Sequence, residues 1–273
     1  MTRQGILILD NSCYARLVKS AAMRRLKANM RAAWLDPAAS EVNLLEASAT
    51  TPSAVEARLI AAIRNFAGDS PLLEWPFRLL KRLARAHVNR EPVVKTGDSG
   101  KEWYLDDPAA RAALRDEIRA FNTNLERAFS ELHQKTRSNS QRLLKAGGVK
   151  REAADLRPFL DDEWPGLELR DHVARLTWQA FDLPGEAPIE ALLRIPAWRI
   201  LLDAEGAALY LRAMACAQPS FVQRADLAQL VYLGAAGQRI LATADHPFLA
   251  LGQQLINGRY PGARVVHIDT MLE

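Results

Sequence analysis

The chain predicts an α/β protein in which a parallel sheet is flanked by helices and interrupted by a long, mostly α-helical insertion. Three observations predict it. Ile6 to Leu9 form an unbroken apolar run, expected of a strand covered on both faces, and the run stops at Asp10. Near the other end, Leu227, Leu230 and Val231 repeat at helical spacing behind Asp226, and after Gly234 and Gly237 a second apolar run, Ile240 to Thr243, reads as a buried strand. From about Gly68 to Ala197 this alternation gives way to helical patterns broken at Pro71, Pro92, Gly97, Pro108, Gly147, Pro158, Pro165 and Pro184. The chain therefore divides into a core first half (1–67), a helical insertion (68–197) and a core second half (198–273).

Taken in order, the first strand leads into an expected helix over Cys13 to Asn29, where Leu17, Val18 and Leu26 stand among basic residues. Arg31 to Leu35 reads as a second strand. Asp36-Pro37 offers a helix cap with proline at the first helical position, and Ser40 is a second candidate for that cap. The helix beyond carries Val42, Leu45 and Ala49 on one side, with Glu46 able to overlook the same crevice as Asp10. Thr50 to Ser53 close it and open another, marked by Val55, Leu59, Ile63 and Phe66. After the insertion a helix from Trp198 to Ala217 leads back to Asp226. The chain closes with a helix around Leu249 to Ile256 and a last apolar run, Val265 to Ile268.

Composition narrows the class. With 273 residues, 49% apolar and 25% charged, the chain can bury a full core and is not a disordered tail. A net charge of +4 leans toward a polyanionic partner. Cys13 and Cys216 lie far apart without metal-ligand spacing, which argues against a disulfide scaffold or zinc finger and leaves both as small buried residues. No apolar run approaches the roughly 18 residues that span a bilayer, and the segment after Arg3 is too short for a signal peptide. A cytoplasmic protein with no membrane partner is expected.

The insertion is unevenly charged: Phe77 to Arg151 holds 17 Lys and Arg against 9 Asp and Glu, whereas Asp155 to Glu190 holds 3 against 9. Arg78, Lys81, Arg82 and Arg85, then Lys135, Arg137, Arg142, Lys145, Lys150 and Arg151, could line a phosphate-backbone groove. The plainer reading is a set of solvated helix faces, or a basic lobe folded against an acidic one.

In open α/β sheets reactive groups collect beyond the carboxyl ends of the strands. Asp10 and Asp245 follow strands, Asp226 stands at a helix start and Glu46 on a helix face, so four carboxylates from distant parts of the sequence share one end of the fold. Like charges at 4 Å repel by about 4 kcal/mol per pair at an effective dielectric of 20, so such a group calls for a cation. All-oxygen ligands favour Mg²⁺ or Mn²⁺ over zinc. One or two such ions could activate water and hold a phosphodiester for in-line attack, which is nuclease chemistry.

These residues resemble a known family. LDNS at Leu9 to Ser12, SEVNLLEA at Ser40 to Ala47, and the helix from Asp226 followed by ILATADHPF at Ile240 to Phe248 look like the motifs of the PIN-domain ribonucleases. In that family an aspartate ends the first strand, a glutamate sits on the helix after the second, and two further aspartates flank the helix-strand step near the C-terminus. Asp10, Glu46, Asp226 and Asp245 match those positions; Thr243 matches the small hydroxyl residue before the last aspartate, and Asn11 and Ser12 the polar residues after the first. The resemblance implies a PIN-like sheet and a Mg²⁺- or Mn²⁺-dependent endoribonuclease cleaving single-stranded RNA. The fit covers roughly residues 1–66 and 198–273. The insertion has no counterpart in the small toxin members of that family and is a place for substrate or for a regulatory protein partner.

Each carboxylate also has a structural reading: Asp226 as a helix cap, Asp10 and Asp245 bonded to loop backbone, Glu46 paired with an arginine. Rivals are a catalytically inactive nucleic-acid or protein-binding module of the same fold, a metal-dependent DNA nuclease, and a metal phosphohydrolase, the last disfavoured because Asn11 and Ser12 follow Asp10 where a phosphoaspartate enzyme has a second aspartate. His246 neighbours Asp245 and reads as a turn residue before Pro247 or as a phosphate contact; His87, His133, His172 and His267 show no ligand spacing. Trp75, Trp103, Trp164, Trp178 and Trp198 suit a helical core, and no Gly-rich phosphate loop or nucleophile elbow occurs.

Overall fold

The computed structural model describes residues 5–18, 20–49, 53–70, 72–90, 106–120, 123, 156–215, 226–234 and 237–273. Among them four strands, β1 (Gly5–Leu9), β2 (Leu35–Ala38), β3 (Gln238–Thr243) and β4 (Ala263–His267), form one sheet in the order β2-β1-β3-β4, every neighbouring pair parallel. The two apolar runs take the middle places. Leu7, Ile8, Leu9, Leu241 and Ala242 are completely buried, as a strand with helices on both faces requires. The register sets Leu9 beside Ala242, and the Asp10 N–H still donates to the Ala242 carbonyl at 2.9 Å. From β1 the chain crosses to β2 on one side, and only later supplies β3 and β4 on the other. The strand order therefore reverses between β1 and β3, and a crevice opens at their carboxyl ends.

The described helices include α1 (Asn11–Leu17), α2 (Ser20–Ala32), α3 (Glu41–Ser48), α4 (Ser53–Ala67), α5 (Pro76–Val88), α6 (Glu168–Ala180), α7 (Pro196–Ala215), α8 (His246–Ile256) and α9 (Ile268–Leu272). Where one helix was expected over Cys13 to Asn29 there are two, since α1 ends at its cap Val18. Met23, Leu26 and Met30 of α2, spaced three and four apart, face the core and are each worth about 1.5–3 kcal/mol against exposure.

The second strand is also displaced from its expected place. Arg31 and Ala32 still belong to α2, and Asp36-Pro37 lies inside β2 rather than capping a helix. Proline is tolerated there because β2 is the outer strand, where a missing N–H donor breaks no ladder on its far side. Ser40 is the true cap of α3: its Oγ accepts from the Asn43 N–H at 3.3 Å, while Asn43 Oδ1 accepts from the Ser40 N–H at 2.9 Å, a reciprocal capping box. Just beyond β2, the Leu73 N–H donates to the Ala39 carbonyl at 2.8 Å and the Glu41 N–H to the Leu73 carbonyl at 2.9 Å, one parallel rung. At the opposite rim the Asn257 side chain bonds both backbone groups of Val265 in β4, donating at 3.1 Å and accepting at 2.8 Å.

The described helices of the insertion do not stand apart. Leu80, Leu83, Leu160, Val173 and Trp178 belong to the same continuous core as β1 and β3. Trp198 Nε1 donates to the Leu80 carbonyl at 2.9 Å and the Tyr232 hydroxyl to the Glu74 carbonyl at 2.7 Å, which satisfies two polar tips inside that core. Trp75, Trp164, Trp178 and Trp198 are buried as expected, and so is Cys13; Trp103 and Cys216 lie outside the described residues. No helix among the described residues is long and apolar enough to cross a membrane.

Gly234 closes the 3₁₀ turn Leu230–Gly234 against the start of α7. A Cβ there would stand 2.3 Å from the Ala197 nitrogen and 2.4 Å from its Cα, both backbone atoms that cannot rotate away. Gly234→Ala is expected to destabilise the protein by about 1–3 kcal/mol, read as a melting temperature lower by about 2–4 °C per kcal/mol. An unshifted melt would show that the turn and α7 are not held this close.

Candidate active site

The crevice between β1 and β3 is furnished by local hydrogen bonding. Asp10 caps α1 and is buried; its Oδ2 accepts from the Ser12 N–H at 3.3 Å, from the Ser12 hydroxyl, and from the Thr243 hydroxyl at 2.9 Å. Each hydroxyl also accepts a backbone N–H of the turn after β3: Ser12 Oγ from Ala244 at 2.8 Å, Thr243 Oγ1 from Asp245 at 3.0 Å. Two small side chains thus stitch the ends of β1 and β3 together and fix Asp10 between them. Asp245, exposed, caps α8 by accepting from the Phe248 N–H at 2.9 Å.

Glu46 reaches the crevice through α3. Asn43, wholly buried, donates from Nδ2 to the Leu9 carbonyl at 3.0 Å and so clamps α3 to the end of β1; Glu46, three residues on, falls on the same helix face. Asn11 donates to the Asn43 carbonyl at 3.3 Å and hydrogen-bonds Glu46 as well. Burial first, and then the negative charges of Asp10 and Asp226, push the Glu46 carboxyl up to about 8 against the opposing pull of the Asn11 bond. Asp226, half-buried, is pushed up to about 7 by burial and then by Asp10 and Asp245. Across the crevice, then, Glu46 feels Asp10 and Asp226, and Asp226 feels Asp10 and Asp245.

Their closeness has a limit. Among the described residues no three Asp, Glu, His or Cys side chains are gathered tightly enough to hold one ion. Nor does any described basic side chain stand within 4 Å of Asp10, Asp226 or Asp245, in contrast to the paired acids elsewhere in the fold. Two carbonyl-type oxygens, Asn11 Oδ1 and Gln229 Oε1, are buried with no hydrogen-bond partner among the described residues. Gln229 is fully buried three residues after Asp226, and its Nε2 lies 3.5 Å from Asp10 Oδ1. Acidic and amide oxygens are the donor set of a hard divalent cation, so the residues present fit Mg²⁺ or Mn²⁺ by type.

Sequence reasoning did not single out Asn43 or Gln229. The only available signal was their position, three residues from Glu46 and Asp226 on helices already assigned to the crevice.

The basic residues fare differently. Arg78 bonds the buried Glu41 at 3.0 Å and also pairs with Glu117, and Arg82 pairs with Glu74, so these two cross-link the fold rather than line an open groove. Lys81 is half-buried and Arg85 exposed; Lys135, Arg137, Arg142, Lys145, Lys150 and Arg151 lie outside the described residues. His246 stacks on His267 with ring centroids 5.0 Å apart, and His267 Nδ1 lies 3.2 Å from Asp269 Oδ2.

Comparison with family models, with curated proteins and with solved structures finds no match to this chain.

Proposed function

We propose that the protein is a Mg²⁺- or Mn²⁺-dependent nuclease of PIN-like type that hydrolyses phosphodiester bonds of single-stranded RNA. The supporting observation is the convergence of Asp10, Glu46, Asp226 and Asp245, drawn from both ends of the sequence, on the reversal point of a parallel sheet, where Asp10 raises the proton affinity of Glu46 and Asp226, and Asp245 that of Asp226. Groups so coupled gain from a shared cation more than isolated carboxylates do. When bound, the metal would supply an activated water and neutralise charge growing on the leaving oxygen. Asp10, held still by Ser12 and Thr243, would be the fixed ligand. Glu46 and Asp226 would shed protons and swing inward by side-chain rotation, and Asp245 would close the set from the exposed side. Asn11 and Gln229 would orient Glu46 and Asp10 through their amides.

A second reading, a binding module of the same fold without catalysis, is favoured by the absence of a tight ligand set among the described residues. One assay separates them. Purified protein with single-stranded RNA, single-stranded DNA and a small phosphate ester, each in Mn²⁺ and in EDTA, is expected to cut RNA only with metal. Binding in EDTA without cutting in Mn²⁺ identifies the silent module. Cutting of DNA alone moves the substrate assignment but keeps the site.

A further inference from the structure

On α2, Arg24, Lys27 and Arg31 carry positive charge that no described carboxylate answers within 4 Å. From Asn11 to Leu35 the sequence holds six bases, Arg16, Lys19, Arg24, Arg25, Lys27 and Arg31, and no Asp or Glu. Arg16 pairs with Asp269, Arg25 donates to the Glu273 carbonyl at 3.3 Å, and Lys27 bonds Asn65 Oδ1 at 3.1 Å. Arg24 and Arg31 are exposed, and no described carboxylate lies within 4 Å of either or of Lys27. Helical spacing of three, four and seven puts Arg24, Lys27 and Arg31 on one face, spread over about 10 Å of axis.

At the foot of that face stands Trp34. The residue is 47% exposed, and its backbone has φ +58, a left-handed conformation disfavoured for a bulky residue and usual for glycine at a helix end. An indole is thus kept in solvent at a position where its own backbone is strained, three residues beyond Arg31, whose carbonyl accepts the Trp34 N–H at 3.3 Å. Strain of this kind concentrates where a residue has work to do.

We propose that the α2 face, Arg24, Lys27 and Arg31 with Trp34 at its end, binds single-stranded nucleic acid, the cations tracking phosphates and the indole stacking on a base. The proposal rests on nucleic acid being the ligand, as in the nuclease reading, but holds equally for a module that does not cut. Charge complementarity and the aromatic platform are the recurring parts of sequence-tolerant single-strand binding. An anionic membrane fits less well, because the apolar side of α2, Met23, Leu26 and Met30, is already buried in the core and none of it remains to enter lipid. The same contrast separates α2 from α5, whose Arg78 and Arg82 hold buried or half-buried acids.

The test is fluorescence anisotropy of a labelled single-stranded RNA of about 20 nucleotides, titrated in EDTA at several salt concentrations. Arg24→Ala with Arg31→Ala is expected to weaken binding at least tenfold at low salt and to flatten the log K against log salt slope by about 1.4, two phosphate contacts at about 0.7 each. Its melting temperature should match wild type, and Arg175→Ala, an exposed arginine on α6, should bind as wild type does. Trp34→Gly relieves the backbone, so it should melt no lower than wild type yet bind about tenfold more weakly and lose the tryptophan quenching that RNA produces. Wild type that does not bind, an unchanged slope in the double variant, equal loss in Arg175→Ala, or, with phosphatidylserine vesicles titrated in parallel, a double variant that loses vesicle binding but keeps RNA binding, would each overturn the proposal. RNA bound normally but left uncut in Mn²⁺ sinks the nuclease reading alone; RNA cut normally with an unaltered slope sinks this one alone.

Discussion

Asp10→Asn is expected to lower Mn²⁺-dependent cleavage of single-stranded RNA by at least about 100-fold, the scale on which altering even a supporting group of a metal site is felt. The fold should survive. Asparagine caps a helix as well as aspartate does, and its amide oxygen can still accept from the Ser12 N–H. What disappears is a charge held rigid at the middle of the crevice. The same charge raises both Glu46 and Asp226, so its removal should lower their proton affinity even in EDTA. Circular dichroism, thermal melting and the cleavage assay on one preparation check all three parts. A folded variant that cuts at the wild-type rate would remove Asp10 from the chemistry.

The second large effect concerns pH. Glu46 rises from 4.5 to about 8 and Asp226 from 3.8 to about 7 in the folded state, so between about pH 4 and 8 the native protein holds more protons than the unfolded chain. Stability then falls as pH rises through that window, because the slope follows protons bound in the unfolded state minus those bound in the native one. The two groups are partly exposed, and solvent screening discounts the combined effect to about 1–3 kcal/mol. Glu46→Gln should therefore melt above wild type by a few degrees near pH 8.5 in EDTA, with the gap closing near pH 5. Mn²⁺ should do the reverse to wild type, stabilising it more at the higher pH, where binding displaces fewer protons. Parallel melting curves for the two proteins across pH 5 to 9 would mean that Glu46 is not held among negative neighbours.

The parts of the fold legible in the sequence were those decided by burial on both faces. Ile6 to Leu9 and Ile240 to Thr243 read as central strands because an unbroken apolar run fits that environment, and they are the middle strands. β2 was misplaced for the opposite reason. At a sheet rim Asp36 and Pro37 are acceptable strand residues, so a rule that reads Asp-Pro as a helix start loses to position in the sheet. In the crevice, Asp10 and Asp245 were visible because Asp10 directly follows one apolar run and Asp245 lies two residues past the other. Asn43 and Gln229 were not, since an amide on a helix carries no local sign that it will be buried against a carboxylate or a strand-end carbonyl. Arg78 was read as part of an exposed basic face because its partner, Glu41, lies 37 residues away, and only the fold brings the start of α3 to Trp75 and Arg78.

The two rims of the sheet bear on solution behaviour. Asn257 occupies both outward-facing backbone groups of Val265 on β4, and Pro37 offers no N–H on β2. A foreign strand approaching either margin would find the middle of its template already taken. Intermolecular β-pairing, the common route to aggregation of open sheets, is disfavoured at both margins, which leaves the helical surfaces as the contact faces of the described residues.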